Sequence, residues 1–346
     1  MKKNNFIEGT IISYMVILIT KILGAIYVIP FYKIIGESGG ILYSYAYNVY
    51  NVFLEISTSG IPTAVSIIIA EYNTLKMFNE REYTYKVANK VISLVSLICF
   101  LIMFIFSRYI SKFFIGDLSG GNTIDSVSLV IRVISFCLLI VPFLSVTRGY
   151  LQGNKYAATS SFSQLIEQFV RILFVLLGSY IAINILNYNI DVGVSFALLG
   201  TTFGGLFAYL YLKYKIFKNK EKLNIGVNKY EDSTVSQSEI LDKIVKTAIP
   251  IVIISITQNI YNTIDLKLII KGLYMIGYTA YDSELIGSII ITWGSKICMI
   301  INALATGMCI SIIPFIVSSY VKKDNKQLNN KINQAINTIL YISVTL

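Results

Sequence analysis

The chain has 346 residues, 55% of them hydrophobic and only 14% charged, with a mean hydropathy of +0.67 and a formal net charge of +10. Soluble domains carry about a quarter charged residues, so this composition excludes a water-soluble globular protein. It contains no His, which removes the usual general base, the commonest metal ligand and the neutral-pH switch. Cys99, Cys137, Cys298 and Cys309 each lie in an apolar run without Cys-x-x-Cys spacing. They read as small core hydrophobes rather than metal ligands or a disulfide framework.

Crossing ~30 Å of hydrocarbon takes about 20 apolar residues. Eight such runs occur, at roughly 7–35, 41–70, 88–115, 127–150, 160–186, 192–217, 244–271 and 286–319, and a ninth starts near Ile332. Lipid offers no partner to backbone amides, so each run is predicted to be a transmembrane helix. The first follows Met1-Lys2-Lys3 but is too long for a signal-peptide core and lacks a small-residue cleavage site, so it is expected to be retained. Residues 218–243 are polar and charge-mixed. They predict a cytoplasmic linker with a surface helix, dividing an N-terminal lobe of six helices (1–217) from a second group (244–346) holding helices seven, eight and part of nine. Ser59-Gly60 in the second run and Thr306-Gly307 in the eighth occupy equivalent places, as the start of an internal repeat would. A full second lobe would need six spans, so the expectation is a truncated or split chain, with a separate chain supplying the missing helices.

Alternate loops are basic. Lys2 and Lys3, the stretches Lys76–Lys90, Arg148–Lys155, Lys213–Lys246 and Lys322–Lys331 hold 20 of the 29 Lys and Arg residues. The other side carries Asp117, Asp125, Asp191, Asp282 and Glu284. The positive-inside rule then predicts a multi-pass plasma-membrane protein with a cytoplasmic amino terminus. This placement explains the net charge without nucleic acid.

An ionisable side chain at mid-bilayer costs at least ~2.5 kcal/mol on insertion scales. Lys21, Glu55 and Lys296 lie deep within spans one, two and eight and are expected to line a water-filled cavity. Asn48, Asn51, Glu55 and Ser59 share a helical face in span two. In span five Gln164, Glu167, Gln168 and Arg171 do the same, and Glu167 and Arg171, four apart, can pair. That pair serves either the cavity or helix packing. Gln258, Asn262 and Asp265 form a third stripe and, with Arg148 at a cytoplasmic helix end, are candidates for a cation site or a gate. Arg132, Lys267 and Lys271 lie near outer ends, where snorkelling accounts for them. Two lysines from the two halves, Lys21 and Lys296, suit an anionic headgroup such as a pyrophosphate. Glycines and prolines inside the spans permit bending. The outer Asp residues are isolated, and no cluster suited to an enzyme or a metal is present.

Three stretches resemble a known family: Thr20-Lys-Ile-Leu-Gly24; Gly36-Glu-Ser-Gly-Gly with Ile56-Ser-Thr-Ser-Gly-Ile-Pro62; and Arg148-Gly-Tyr-Leu-Gln-Gly153 followed by Ser163-Gln-Leu-Ile-Glu-Gln-Phe-Val-Arg171. The chain resembles the polysaccharide-exporter branch of the multidrug/oligosaccharidyl-lipid/polysaccharide (MOP) flippase superfamily, and within it the MurJ/SpoVB-type lipid II flippases. The resemblance implies two six-helix lobes around a cationic cavity, a MATE-like architecture. It further implies transport of an undecaprenyl-pyrophosphate-linked sugar to the outer leaflet by alternating access, driven by membrane potential or a coupling cation such as sodium or a proton. A MATE-like drug/cation antiporter is the alternative within the superfamily, and a non-functional fragment of a split transporter is the other. By position Lys21 and Lys296 match arginines of the first and eighth helices of the MurJ branch. Further arginines of that branch fall at about Tyr27 and near Leu54-Glu55 here, and its Met-Pro after the Arg-Gly-Tyr motif is replaced by Tyr156-Ala-Ala.

Overall fold

The computed structural model describes residues 6–58, 60–116, 122–225, 235–295 and 303–345, and every regular element among them is helical. They are α1 (Phe6–Ile26), α2 (Val28–Thr58), α3 (Gly60–Leu75), α4 (Phe78–Ile105), α5 (Ser107–Ile115), α6 (Ile124–Ser135) and α7 (Val141–Gly153). After these come α8 (Ala157–Tyr180), α9 (Ile190–Lys218), α10 (Gln237–Met275), α11 (Ala280–Ser288), α12 (Ala303–Val321) and α13 (Asn325–Thr345). Within α2, Gly36 sits at φ +67° and ψ −176°, a region in which only glycine rests without strain. It marks the boundary between the first and second apolar runs.

Among the described residues, five stretches are long and apolar enough to cross a membrane: Ile11–Leu75, Phe78–Ile105, Ile124–Gly153, Ala157–Ile185 and Ile190–Lys218. The first has 65 residues, about 100 Å of helix at 1.5 Å per residue, and so holds more than one crossing. Large apolar side chains such as Leu94, Phe169 and Ile254 face outward. A water-soluble fold would bury them, whereas lipid tails solvate them. The protein is an all-α polytopic membrane protein.

Two close helix approaches fix the frame. On α7, a Cβ at Gly149 would fall 2.3 Å from the Pro62 carbonyl oxygen, and one at Gly153 would fall 2.6 Å from that of Ser66. The Arg148-Gly-Tyr-Leu-Gln-Gly153 stretch is therefore a small-x-x-x-small seam that lets α7 lie backbone to backbone on α3. On α9, Gly204 makes the same approach to α8: a Cβ there would meet the Glu167 carbonyl oxygen at 2.6 Å. α1 packs between α8 and α12, and α10 packs along α2 and α3.

The helix after the linker begins seven residues before the apolar run starts at 244. Ser236 caps it, accepting from the Glu239 N–H at 3.2 Å. Ser236-Gln-Ser-Glu239 supplies the Ser and Glu spacing of a capping box, and Ile240 and Ile244 are fully buried beneath it. With 39 residues α10 is about 58 Å long, well beyond the hydrocarbon thickness. At the basic end, buried Arg81 donates to Asn73 Oδ1 at 3.0 Å, Asn154 Oδ1 at 3.3 Å and the Leu223 carbonyl. One guanidinium thus ties α4 to the ends of α3, α7 and the segment after α9. Lys243 pairs with Glu71 at 2.7 Å, joining α10 to α3.

At the opposite end, the segment after α11 packs on α2. Trp293 stacks on Tyr43 at 5.4 Å, and Thr292 Oγ1 accepts from Asn48 Nδ2 at 2.7 Å. Glu284, fully buried, accepts from the Asn122 N–H at 3.3 Å and Nδ2 at 3.0 Å. The Tyr281 hydroxyl donates to Glu37 at 2.8 Å.

Candidate functional site: a cationic cavity between α1, α7 and α8

A cavity of about 200 Å³ opens between α1, α7 and α8, with Tyr47 of α2 completing its wall. Lys21, Arg148, Glu167 and Arg171 line it, along with the amides of Gln164 and Gln168 and the hydroxyls of Thr20, Tyr27 and Tyr47. Glu167 is the hub. Its Oε2 accepts from Arg148 at 2.8 Å and its Oε1 from Arg171 one turn along α8. Arg148 also donates to Ser163 Oγ at 2.8 Å. The side chains of all three ion-pair members are less than a fifth exposed, so these are charges held in protein rather than surface pairs.

Local sequence explains the convergence. Residues 163, 167 and 171 lie at i, i+4 and i+8 on α8 and present one polar stripe. Gly24 has no side chain where Gln168 approaches α1; a Cβ there would sit 3.2 Å from its amide nitrogen. Gly149 seats α7 on α3, leaving the preceding Arg148 to reach Glu167. Among the described residues, the formal charge in the cavity wall is three cations against one carboxylate.

Of the sequence-predicted residues, the structure brings together Lys21, Arg148, Glu167 and Arg171. Asn51 and Glu55 are half-buried on α2 and do not line this cavity. Their stripe neighbour Asn48 instead bonds Thr292. Asn262 and Asp265 are half-buried on α10, away from the cavity wall. Gln258 occupies the same helix. Lys296 lies outside the described residues. Arg148, expected at a gate, is a full member of the ion network. Thr20, Tyr27 and Tyr47 also face the cavity. Thr20, Gly24 and Tyr27 recur at helical spacing around Lys21, a pattern that could have flagged Thr20 and Tyr27.

Comparisons with known proteins agree with this architecture. The family described as "Polysaccharide biosynthesis protein" matches residues 6–316. The chain is 32% identical to the lipid II flippase MurJ of Bacillus subtilis over 99% of its own length and 63% of that protein's. It is 26% identical to the stage V sporulation protein B of the same organism, over 65% of this chain and 41% of that one. The chain thus spans about three fifths, or less, of the length of these relatives. Among solved structures, a MOP superfamily transporter from Pyrococcus furiosus superposes with a TM-score of 0.71 at 16% identity, covering 99% of this chain and 71% of that one. A multidrug resistance MATE family transporter in an outward-facing conformation gives 0.68 at 16% identity, with the same coverage. By description, MurJ is a flippase and the two proteins of solved structure are transporters. With a matching sequence family over most of its length and the MOP architecture in its helices, the chain belongs to the polysaccharide biosynthesis protein family of multi-pass membrane proteins.

Proposed function

We propose that the protein is a flippase, moving an undecaprenyl-pyrophosphate-linked cell-wall or polysaccharide precursor from the cytoplasmic to the outer leaflet by alternating access, with lipid II as the leading substrate. The observation that carries this reading is the charge of the α1/α7/α8 cavity. Lys21, Arg148 and Arg171 face it against a single carboxylate, Glu167, which leaves a formal excess of two positive charges. A wall of net positive charge suits an anionic ligand, and a pyrophosphate headgroup is one. Arg171 and Arg148 offer forked donors, and Lys21 a mobile point charge on a flexible stem. The likeness to the Bacillus subtilis lipid II flippase MurJ supports the substrate class. A drug/cation antiporter would place unpaired carboxylates in the cavity, yet the one present is bridged by two arginines.

In this proposal the amino terminus is cytoplasmic, Lys296 supplies a further cation from the second group, and Asp265, Asn262 and Gln258 of α10 are the candidate site for a coupling sodium ion or proton. The test is complementation of a bacterium depleted of its lipid II flippase. The parent chain restores growth and clears accumulated lipid II, whereas Lys21→Ala, Arg171→Ala and Lys296→Ala do not. Growth of the Lys21→Ala and Arg171→Ala strains at the parent's rate, at equal expression, refutes the assignment.

A further inference from the structure

A second charged cavity lies at the other end of the molecule, on the face that the basic loops avoid. The end of α5 and the last turns of α10 enclose about 330 Å³. Its charged wall residues are Lys112, Lys267 and Lys271, and among the described residues no Asp or Glu lines it. Lys267 and Lys271 stand one turn apart on α10, where like charges repel. Lys267 is half-buried, its ammonium 3.6 Å above the Phe113 ring centre. Snorkelling explains one lysine reaching water from a helix end. It does not explain three from two helices closing on one cavity, on the side where basic residues are otherwise scarce.

Directly beside it lies an apolar slot of about 190 Å³ between α2, α5 and α10. Val49, Val52, Phe53 and Ile110 line this slot, and Phe113 and Phe114 are shared by both cavities. Among the described residues, no charged one lines it. A cationic chamber joined through two rings to an apolar slot has the two-part chemistry of a lipid. The headgroup is anionic, and the chain runs alongside.

We infer that this double cavity binds an anionic phospholipid of the surrounding bilayer, its phosphate between Lys112, Lys267 and Lys271 and an acyl chain in the slot beneath Phe113 and Phe114. Basic pockets between transmembrane helices take phospholipid headgroups by this charge logic. The lipid is a bound companion of α2, α5 and α10, not the transported cargo, so the site stands apart from the α1/α7/α8 cavity.

Native mass spectrometry of the full chain in detergent, titrated with phosphatidylglycerol or phosphatidylcholine, tests it. The parent retains phosphatidylglycerol at least fivefold over phosphatidylcholine, and Lys112→Gln/Lys267→Gln/Lys271→Gln abolishes the preference. Lys322→Gln/Lys323→Gln/Lys326→Gln, which removes as many charges elsewhere, keeps it. If the first triple variant does not fold, the exposed single Lys271→Gln carries the test with at least a threefold loss. Equal retention of the two lipids by the parent overturns the inference. So does an unchanged preference in the lysine-cavity variants, or displacement by equimolar inorganic phosphate, which would show that the chain contributes nothing.

Discussion

Glu167→Gln keeps side-chain volume and hydrogen-bonding reach but deletes the one negative charge in the α1/α7/α8 cavity. Arg148 lies 2.8 Å from its Oε2, and Arg171 bonds the other oxygen. With charge centres about 4 Å apart and an effective dielectric near 20, each attraction is worth about 4 kcal/mol before desolvation. The two arginines share one carboxylate, and all three side chains lose hydration in forming the network. The net loss on neutralising Glu167 is therefore expected at about 3–5 kcal/mol, the usual cost of leaving buried charge uncompensated. Spread over a chain of this size, that lowers the midpoint of thermal unfolding in detergent by about 5–10 °C. A cycle with Arg148→Met should show coupling of about 2 kcal/mol, because once Arg148 is gone the carboxylate holds only Arg171. A Glu167→Gln midpoint within about 2 °C of the parent, or strict additivity with Arg148→Met, refutes the claim that this carboxylate holds α7 to α8.

Gly149→Ala places a Cβ 2.3 Å from a backbone oxygen of α3. It should cost about 1–3 kcal/mol and reduce the monodisperse fraction on size exclusion. Gly272→Ala, whose Cβ meets nothing within 4 Å, should behave as the parent. Asn122→Ala withdraws the side-chain donor from buried Glu284 and should lower stability by about 1–3 kcal/mol. Asn122→Asp, which faces two carboxylates toward each other, should lower it further in the same melt. The Tyr281 phenol is pushed up to about 12 by burial and by its hydrogen bond to Glu37. A group whose folded value is raised contributes stability that is complete below its unfolded value, about 10 here, and that is lost as pH climbs through the folded value. The melting difference between parent and Tyr281→Phe should therefore hold from pH 7 to 9 and close between pH 10 and 12; a constant difference at pH 12 counts against the contact.

Helix content and membrane residence were legible from residues 7–319 because both rest on local composition. An apolar run of sufficient length has only one way to satisfy its amides in lipid. The pairing of Glu167 with Arg171 was equally legible, since four residues on one helix are neighbours whatever surrounds them. Which buried groups meet across helices was not. Arg148 joins Glu167, Asn48 turns to Thr292 and Lys112 shares a cavity with Lys267 and Lys271 because α3, α7, α8 and α10 have particular rotations and separations. Those are set by contacts such as Gly149 on Pro62 and Gly204 on Glu167, where the absence of a side chain decides how near two backbones come. Sequence therefore determined how many charges had to be hidden and on which helices. Only the tertiary packing decided which of them neutralise one another, because a Coulomb attraction depends on a separation that no single helix contains.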